Sequence, residues 1–250
     1  MSEVRIIGVP GLPEVRAGDD LAALICGAAG AAGITIAGGD VLVVTQKVVS
    51  KAEGRIVALD GIEPSAFAQR IAAQWEKDPR HVEVVLGETK RIVRMERGVV
   101  ICETHHGFVC ANAGVDASNV EKEGTLCLLP VDPDASARAI RDGVQSRTGA
   151  RTAVIVSDTF GRPWREGHVN FAIGLAGIEP LIDYAGQRDP AGYELRVTQM
   201  AVVDELAAAA ELVHGKLARV PVAIVRGVEY GVGEATSAQL VRPPERDLFR

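Results

Sequence analysis

The sequence predicts an α+β fold in which mixed sheets pack against helices. Short apolar runs typical of buried strands alternate with capped helical segments, but without the strict βαβ rhythm of a doubly wound sheet. Neither a GxxxxGK[ST] loop nor a GxGxxG turn occurs in the 250 residues. Because these motifs mark P-loop and Rossmann proteins, a nucleotide would have to be bound by a fold of another kind.

Helices are predicted where an N-cap residue precedes a periodic apolar segment. The expected helices span residues 20–33, 64–75, 132–149 and 200–213. The third has the clearest limits, because Asp132 and Pro133 suit its start and Gly149 suits its end. The fourth is strongly enriched in alanine, the best helix former.

Strands are predicted at short apolar runs bounded by turn residues. One is expected directly after Arg5, and others in residues 40–46, 82–86, 98–103, 107–113, 124–129, 152–156, 178–184 and 220–225. Composition shows no domain boundary, so residues 1–250 are expected to form one unit, or two closely packed subdomains. Residues 231–250, rich in charge, Gly and Pro, are expected to be an extended tail that packs on a neighbouring subunit or is loosely ordered.

The composition indicates a soluble, cytoplasmic protein. The net charge is −6 at pH 7 and no long Lys/Arg block occurs, which argues against nucleic-acid binding. The four cysteines form no CxxC pair and sit in apolar runs, as expected of free thiols in a reducing compartment. No apolar segment is long enough to span a bilayer, and the amino terminus does not resemble a signal peptide.

Two short acidic segments are the strongest indication of chemistry. Asp116 follows the predicted strand 107–113, and Asp158 follows the apolar run 152–156. Asn119 and Thr159 add neutral oxygens beside them. Hard oxygen ligands of this kind suit Mg²⁺ or Mn²⁺ carrying a phosphate chain. On position alone a second interpretation stays open, since most loop aspartates are helix caps or turn formers.

A cationic segment, residues 45–55, directly follows a predicted buried strand. Lys51 and Arg55 are placed there to neutralise phosphate, and Gly54 gives the backbone freedom to turn. A solvated, charged turn is the alternative. Near the amino terminus, the rigid turn of residues 11–14 offers backbone N–H groups to a nucleotide, although this motif is weak by itself.

A second cationic segment, residues 160–168, lies beside Asp158. Its two arginines, Arg162 and Arg165, flank Trp164. This combination suits a substrate loop for an anionic, aromatic ligand, because arginine pairs with anions and both residue types stack on rings. A surface loop with the tryptophan as a packing anchor fits the residues equally well.

Six motifs follow one another between Gly11 and Arg250: GLPE, VVSKAEGR, ETHHGFVCANAGVDASNV, LLPVDPDASARAI, SDTFGRPWREG and RPPERDLFR. In sequence and in order they resemble the coenzyme F420-0:L-glutamate ligase (gamma-glutamyl ligase) family, over nearly the whole chain. Some members of that family carry a second, flavin-binding domain after the ligase. The chain resembles the single-domain form without this extension.

The resemblance implies a GTP-dependent carboxylate–amine ligase. Such enzymes add L-glutamate to the lactyl carboxylate of the deazaflavin precursor F420-0, and then further glutamates in γ linkage. Family members are described as intertwined homodimers of unusual mixed α/β fold that use Mg²⁺ or Mn²⁺, expected at two sites, together with K⁺. The expected partners are therefore F420-0, L-glutamate, GTP and a second copy of the chain, without nucleic acid or membrane.

The resemblance also implies site residues. The expected metal ligands are Asp116, Asp158, Thr159 and Glu229. The expected nucleotide contacts are Leu12, Pro13, Glu14, Val15, Gln46, Lys51 and Asn119. Some relatives have a smaller hydroxyl residue in place of Gln46. The residues expected to act in catalysis are Lys51, Arg162 and Arg165.

The expected reaction passes through an acyl phosphate. The substrate carboxylate attacks the γ-phosphate of GTP, and the amine of glutamate then displaces phosphate. Lys51 would add fixed positive charge, while Arg162 or Arg165 would orient a carboxylate or phosphate. Two alternatives use the same residues: a metal-dependent phosphohydrolase, and a guanine-nucleotide-binding module without ligase activity.

Overall fold

The computed structural model of the chain describes residues 3–117 and 123–247. The helices are α1 (Leu21–Ala31), α2 (Gln46–Ala52), α3 (Ala66–Trp75), α4 (Pro79–Gly87), α5 (Pro133–Thr148) and α6 (Val202–His214). The strands are β1 (Arg5–Gly8), β2 (Val41–Thr45), β3 (Ile56–Ala58), β4 (Thr89–Glu96), β5 (Val99–Thr104), β6 (Val109–Ala111), β7 (Thr125–Cys127), β8 (Ala153–Arg162), β9 (Arg165–Ala176), β10 (Ile182–Asp183), β11 (Gln199–Met200) and β12 (Val222–Arg226). The predicted α+β class is confirmed.

The central sheet has the strand order β1-β12-β2-β8-β9. Only the pair β2–β8 is parallel, and the other three pairs are antiparallel. The side chains of β2 alternate between two cores: Leu42 and Val44 face α1 and α5, while Val41 and Val43 face α6. Helices on both faces explain why this strand is apolar throughout its length, as the sequence predicted.

A smaller region packs beside the central sheet. Strands β4, β5 and β6 form an antiparallel sheet, and β3 pairs with β7. Helices α3 and α4 cover it, with cores built around residues such as Ile71, Val85 and Leu126. This region carries Asp116, whose backbone bridges to Cys127 at the end of β7.

Two of the predicted helix starts, those of α1 and α5, are confirmed by their caps. The carboxylate of Asp20 accepts a hydrogen bond from the amide of Ala23 at 2.9 Å, and that of Asp132 accepts one from Ala135 at 2.8 Å. Gly149 ends α5 with φ of 73°, a left-handed conformation that glycine adopts at little cost.

Three strand predictions differ from the structure: one is wrong, one is too long and one is too short. Residues 82–86 lie in α4, because Asp78 caps a helix there and Pro79 occupies its first turn. Of residues 178–184, only Ile182–Asp183 are paired. The apolar run 152–156 is the start of a longer strand, since β8 continues to Arg162 and folds back as β9. The segment predicted as a loop after Asp158 is therefore a hairpin.

The described part of the C-terminal segment, residues 231–247, has no long helix or strand. It contains two short 3₁₀ turns, Ser237–Leu240 and Pro244–Arg246. It packs on its own chain, because the hydroxyl of Ser237 donates to Asp134 at 3.0 Å. No helix in the described part of the chain is long and apolar enough to cross a membrane.

Gly174→Ala tests the contact between β9 and α5. A Cβ at this position would lie 2.2 Å from the carbonyl oxygen of Pro133, so the backbone must move. We expect a loss of about 1–3 kcal/mol in the free energy of unfolding, measured by urea titration. Gly161→Ala is the control, because a Cβ there meets nothing within 4 Å. Equal stability of the two variants would contradict the packing described.

Candidate active site

A cavity of about 480 Å³ opens beyond the end of β2. Its walls come from residues 12–15, 45–51, 157–159 and 211–221, together with Asn170 of β9. Strand β2 ends at Thr45, which pairs with Ser157, whereas β8 continues past this point. Asp158 and Thr159 therefore stand beyond the end of their neighbouring strand, with their side chains on opposite faces of β8.

Asp116 reaches the site from the smaller region through a tight turn. Gly114 has φ of 72°, and a Cβ there would lie 2.8 Å from a methyl carbon of Leu129. Beyond this turn, the amide of Asp116 donates to Cys127 at 3.0 Å, and the amide of Cys127 donates back at 2.8 Å. The carboxylate then forms an ion pair with Lys47, at 2.7 Å between Nζ and Oδ2.

The two predicted carboxylates influence each other. Burial raises the pKa of Asp158 to about 6, the negative charge of Asp116 adds to this rise, and Lys47 and Lys216 oppose it. In turn, burial and the Asp158 charge raise the pKa of the Cys110 thiol to about 12, so this thiol stays protonated. In this fold the negative charges of Asp116 and Asp158 thus repel each other. A cation bound next to them would reduce this repulsion.

On the opposite face of β8, a chain of hydrogen bonds holds Thr159. Its hydroxyl donates to the side-chain oxygen of Asn170 at 2.7 Å and accepts from Lys216 at 3.2 Å. The amide nitrogen of Asn170 donates to Glu211 at 3.0 Å. Sequence reasoning missed Asn170, Glu211 and Lys216, because no motif marks them and only the packing of α6 against β9 places them here.

His214, in the last turn of α6, also lines the cavity. It is 2% exposed, and neither ring nitrogen makes a hydrogen bond with the described residues. Burial lowers the pKa of His214, while the Glu211 carboxylate, 3.9 Å away, opposes the shift. A neutral imidazole beside the cavity results, with hydrogen-bonding capacity available to a ligand.

The predicted nucleotide residues that the structure describes all line the cavity: Leu12, Pro13, Glu14, Val15, Gln46 and Lys51. The ammonium of Lys51 pairs with the carboxylate of Glu14. Gln46 is buried, and its side-chain nitrogen donates to the carbonyl of Leu128 at 2.9 Å. Its amide group thus holds the cavity wall together. Asn119 lies outside the described residues.

The two predicted catalytic arginines are not in the cavity wall. Arg162 and Arg165 pair with each other at the tip of the β8–β9 hairpin. Arg162 donates to the carbonyl of Glu166 at 2.9 Å, and Trp164 between the arginines is 80% exposed. Trp164 is therefore not a packing anchor within the described chain, and the arginines lie beside the site as part of a projecting hairpin.

Glu229 lies away from the other predicted metal ligands. It follows β12, in which Val225 pairs with Val41 at the start of β2. The cavity opens at the other end of β2, beyond Thr45. Within this chain, Glu229 and Asp158 therefore lie at opposite ends of the sheet's strands, and the expected role of Glu229 at a second metal site stays a prediction.

The donor set fits one kind of metal better than another. Within residues 3–117 and 123–247, no group of three or more His, Cys, Asp or Glu side chains is arranged to hold a metal ion. A closed structural site is thus not present there. Mg²⁺ usually binds through one or two carboxylates together with substrate phosphates and water, which Asp116, Asp158 and the adjoining cavity can provide.

Comparison with known proteins identifies the class to which this fold and site belong. The chain belongs to the F420-0:Gamma-glutamyl ligase family, whose model matches residues 11–227. It is similar to the coenzyme F420:L-glutamate ligase of Methanothermobacter thermautotrophicus, with 48% identity over 250 residues and 99% of both chains covered. It is 46% identical over 252 residues to the protein of that name from Methanopyrus kandleri, covering 99% of this chain and 98% of the relative. For Methanocaldococcus jannaschii the identity is 42% over 251 residues, covering 99% and 97%.

Asp158→Asn tests the electrostatics of the metal-free site. Because its pKa in the folded state is raised, Asp158 binds a proton more tightly folded than unfolded, and its contribution to stability falls as the pH rises from about 4 to 6. Asparagine does not ionise, so the variant does not lose this stability as the pH rises. In EDTA, we expect the variant to gain about 2–3 kcal/mol of unfolding free energy relative to wild type at pH 7.5, and only a small part of that at pH 4.

The control for this comparison is Asp60→Asn, since the side chain of Asp60 is 86% exposed. It should leave stability and its pH dependence unchanged. A variant at position 158 that follows the wild-type pH profile throughout would show that Asp158 is not buried against Asp116 as described.

Proposed function

We propose that the chain catalyses the GTP-dependent ligation of L-glutamate to the carboxylate of F420-0, followed by γ-linked addition of further glutamates. Membership of the F420-0:Gamma-glutamyl ligase family supports the reaction class, and the names of the relatives support the two substrates. The single structural observation that carries the proposal is the electrostatic coupling of Asp158, in the wall of a cavity lined with lysines, to Asp116 and its ion-pair partner Lys47.

The cavity suits a nucleoside triphosphate. Its volume of about 480 Å³ lies within the usual range of small-ligand sites. Lys47 and Lys51 follow each other one turn apart on α2 and both line it, so they can neutralise the phosphate chain. The ion pair of Lys51 with Glu14 would open, or be shared, when a phosphate enters. Residues 12–15 also line the cavity, next to Lys51, and would meet the nucleoside.

A divalent cation, Mg²⁺ or Mn²⁺, would be held by Asp116 and Asp158, with the Thr159 hydroxyl on the opposite face of β8 for a second ion. Such ions supply charge neutralisation at the transferring phosphoryl group. In this account the hydrogen bond from Thr159 to Asn170 fixes the hydroxyl so that an oxygen lone pair stays available. The expected K⁺ and the homodimer stay predictions.

The chemistry requires two displacements. The substrate carboxylate attacks the γ-phosphorus, the bond to the bridging oxygen breaks, and GDP leaves with the electron pair. The uncharged amine of glutamate then attacks the acyl carbon, loses a proton, and expels phosphate to give the amide. Lys47 and Lys51 stabilise the charge that develops during the first step, because they are fixed close to the carboxylate pair. Arg162 and Arg165, on the hairpin beside the cavity, would attract the anionic substrates.

Asp158→Asn and Asp116→Asn should each lower the ligation rate by at least about a hundredfold, because phosphoryl transfer loses its charge neutralisation. The measurement is mass spectrometry of the products formed from F420-0, L-glutamate, GTP and Mn²⁺, which also counts the glutamates added. Asp60→Asn is the matched control and should keep full activity. Full ligation by Asp158→Ala would overturn the assignment.

The same assay separates ligation from hydrolysis. A phosphohydrolase would release phosphate from GTP whether or not glutamate is present, because water is its acceptor. We expect phosphate release to depend on both L-glutamate and F420-0 in the steady state. Phosphate release that is independent of the amine, without a glutamylated product, would replace the proposed function with hydrolysis.

A further inference from the structure

A second cavity, of about 270 Å³, lies along the outer edge of β9. Three aromatic side chains, Phe108, Phe160 and Phe171, form one side of it, and residues 240–242 of the C-terminal segment form the other. We call it the aromatic cavity. No role in nucleotide or metal binding involves these residues, and none of the predicted site residues lines it.

The aromatic wall is continuous with the candidate active site. Phe171 is the direct partner of Asp158 in the β8–β9 pairing, and Phe160 lies two residues further along β8. Paired residues, and residues two apart on a strand, share one face of a sheet. The side chains of Asp158, Phe160 and Phe171 therefore project to the same side. Two residues along a strand correspond to about 7 Å. The aromatic cavity therefore begins one side chain away from the carboxylate at which phosphoryl transfer is proposed.

Two of the aromatic rings in this wall are nearly parallel. The rings of Phe160 and Phe171 stack, with centroids 5.9 Å apart and planes inclined by 23°. Phe108 adds a third ring to the lining. Planar ring systems gain most from such a surface, because offset stacking adds to the burial of apolar area. A small aliphatic substrate such as glutamate would leave most of this surface without a partner.

Polar groups at the rim suit a heteroaromatic ligand better than a purely apolar one. Asp204 accepts a hydrogen bond from the amide of Ala172 at 2.9 Å and so closes the exposed edge of β9. Arg242 and Asp247 lie on the tail side of the cavity. A ring with carbonyl and N–H groups along its edge can exchange hydrogen bonds with charged side chains of both signs.

We propose that the aromatic cavity binds the deazaflavin ring of the acceptor substrate. This inference rests on the proposed function, which places the carboxylate of the same substrate at Asp158. The substrate then lies along one face of the hairpin, with its ring between Phe171 and Val241 and its carboxylate at the transferred phosphate. The nucleotide approaches from the other cavity, where the lysines are. Ring binding at a distance from the reacting carboxylate would hold that carboxylate in place for attack.

Phe171→Leu and Phe160→Leu test the proposal, because leucine keeps the apolar volume but removes the stacking surface. The probe is a 5-deazaflavin riboside that lacks the phosphate and lactyl groups, titrated through its own fluorescence. We expect its Kd to rise about tenfold in each variant, and the KM for F420-0 to rise in parallel. The KM values for GTP and L-glutamate should stay within about twofold.

Two further variants and one control distinguish loss of ring binding from a general effect on the structure. Phe171→Tyr retains the ring and should bind the riboside like wild type. Val241→Trp fills the cavity from the tail side and should weaken riboside binding without altering either stacked ring. Phe67→Leu, at an exposed phenylalanine of α3, is the control for loss of a surface ring and should change nothing.

The outcomes separate the two proposals. Riboside binding that depends on Phe171 supports the ring site even if wild-type protein makes no glutamylated product, in which case the proposed function alone fails. Unchanged riboside binding and an unchanged KM for F420-0 in the leucine variants would overturn the ring site. A rise confined to the KM for GTP would assign the cavity to guanine. Loss of self-association in these variants, with unchanged riboside binding, would assign it to a second copy of the chain.

Discussion

The parallel pairing of β2 with β8 is the constraint on which the site depends. The two strands are in register from Val41 and Ala153 to Thr45 and Ser157, and both are buried between helices on the two faces of the sheet. Because β2 stops at Thr45 while β8 runs on, the pairing leaves a gap beside Asp158. Every other wall of the cavity is built around this gap.

Electrostatic interactions at this gap are unfavourable for the ionised form of Asp158. Asp158 sits beside a second carboxylate in a partly buried place, and the raised pKa of its carboxyl expresses this. A lysine compensates in part through its ion pair with Asp116. Negative charge that is only partly neutralised is characteristic of functional sites, since a bound cation or substrate can neutralise the rest. Phe160 lies just beyond Asp158 on β8, and Phe171 of β9 pairs with Asp158, so one hairpin links the charged centre to the proposed ring site.

Local signals in the sequence predicted the caps at Asp20 and Asp132 and the apolar strands of the central sheet. They failed where tertiary contacts decide. The apolar pattern of residues 82–86 suits a strand as well as a helix. The residues that indicate a helix, Asp78 and Pro79, lie before this run. Glu211 and Lys216 lie in the site only because α6 packs on β9. No local sequence pattern predicts this packing. Glu229, expected from the motif resemblance, lies at the other end of the strands from Asp158 in this chain, and its role stays a prediction.

The central claim is that Asp116 and Asp158 act as one cation site together with the nucleotide. The most direct measurement is Mn²⁺ affinity in the presence of GDP, by titration of the electron paramagnetic resonance signal, for Asp116→Asn, Asp158→Asn and the double variant. If one ion is shared, each single change should weaken binding by at least about tenfold and the double change should cost little more, a strongly non-additive result. Wild-type affinity in either single variant, or fully additive losses, would contradict the account.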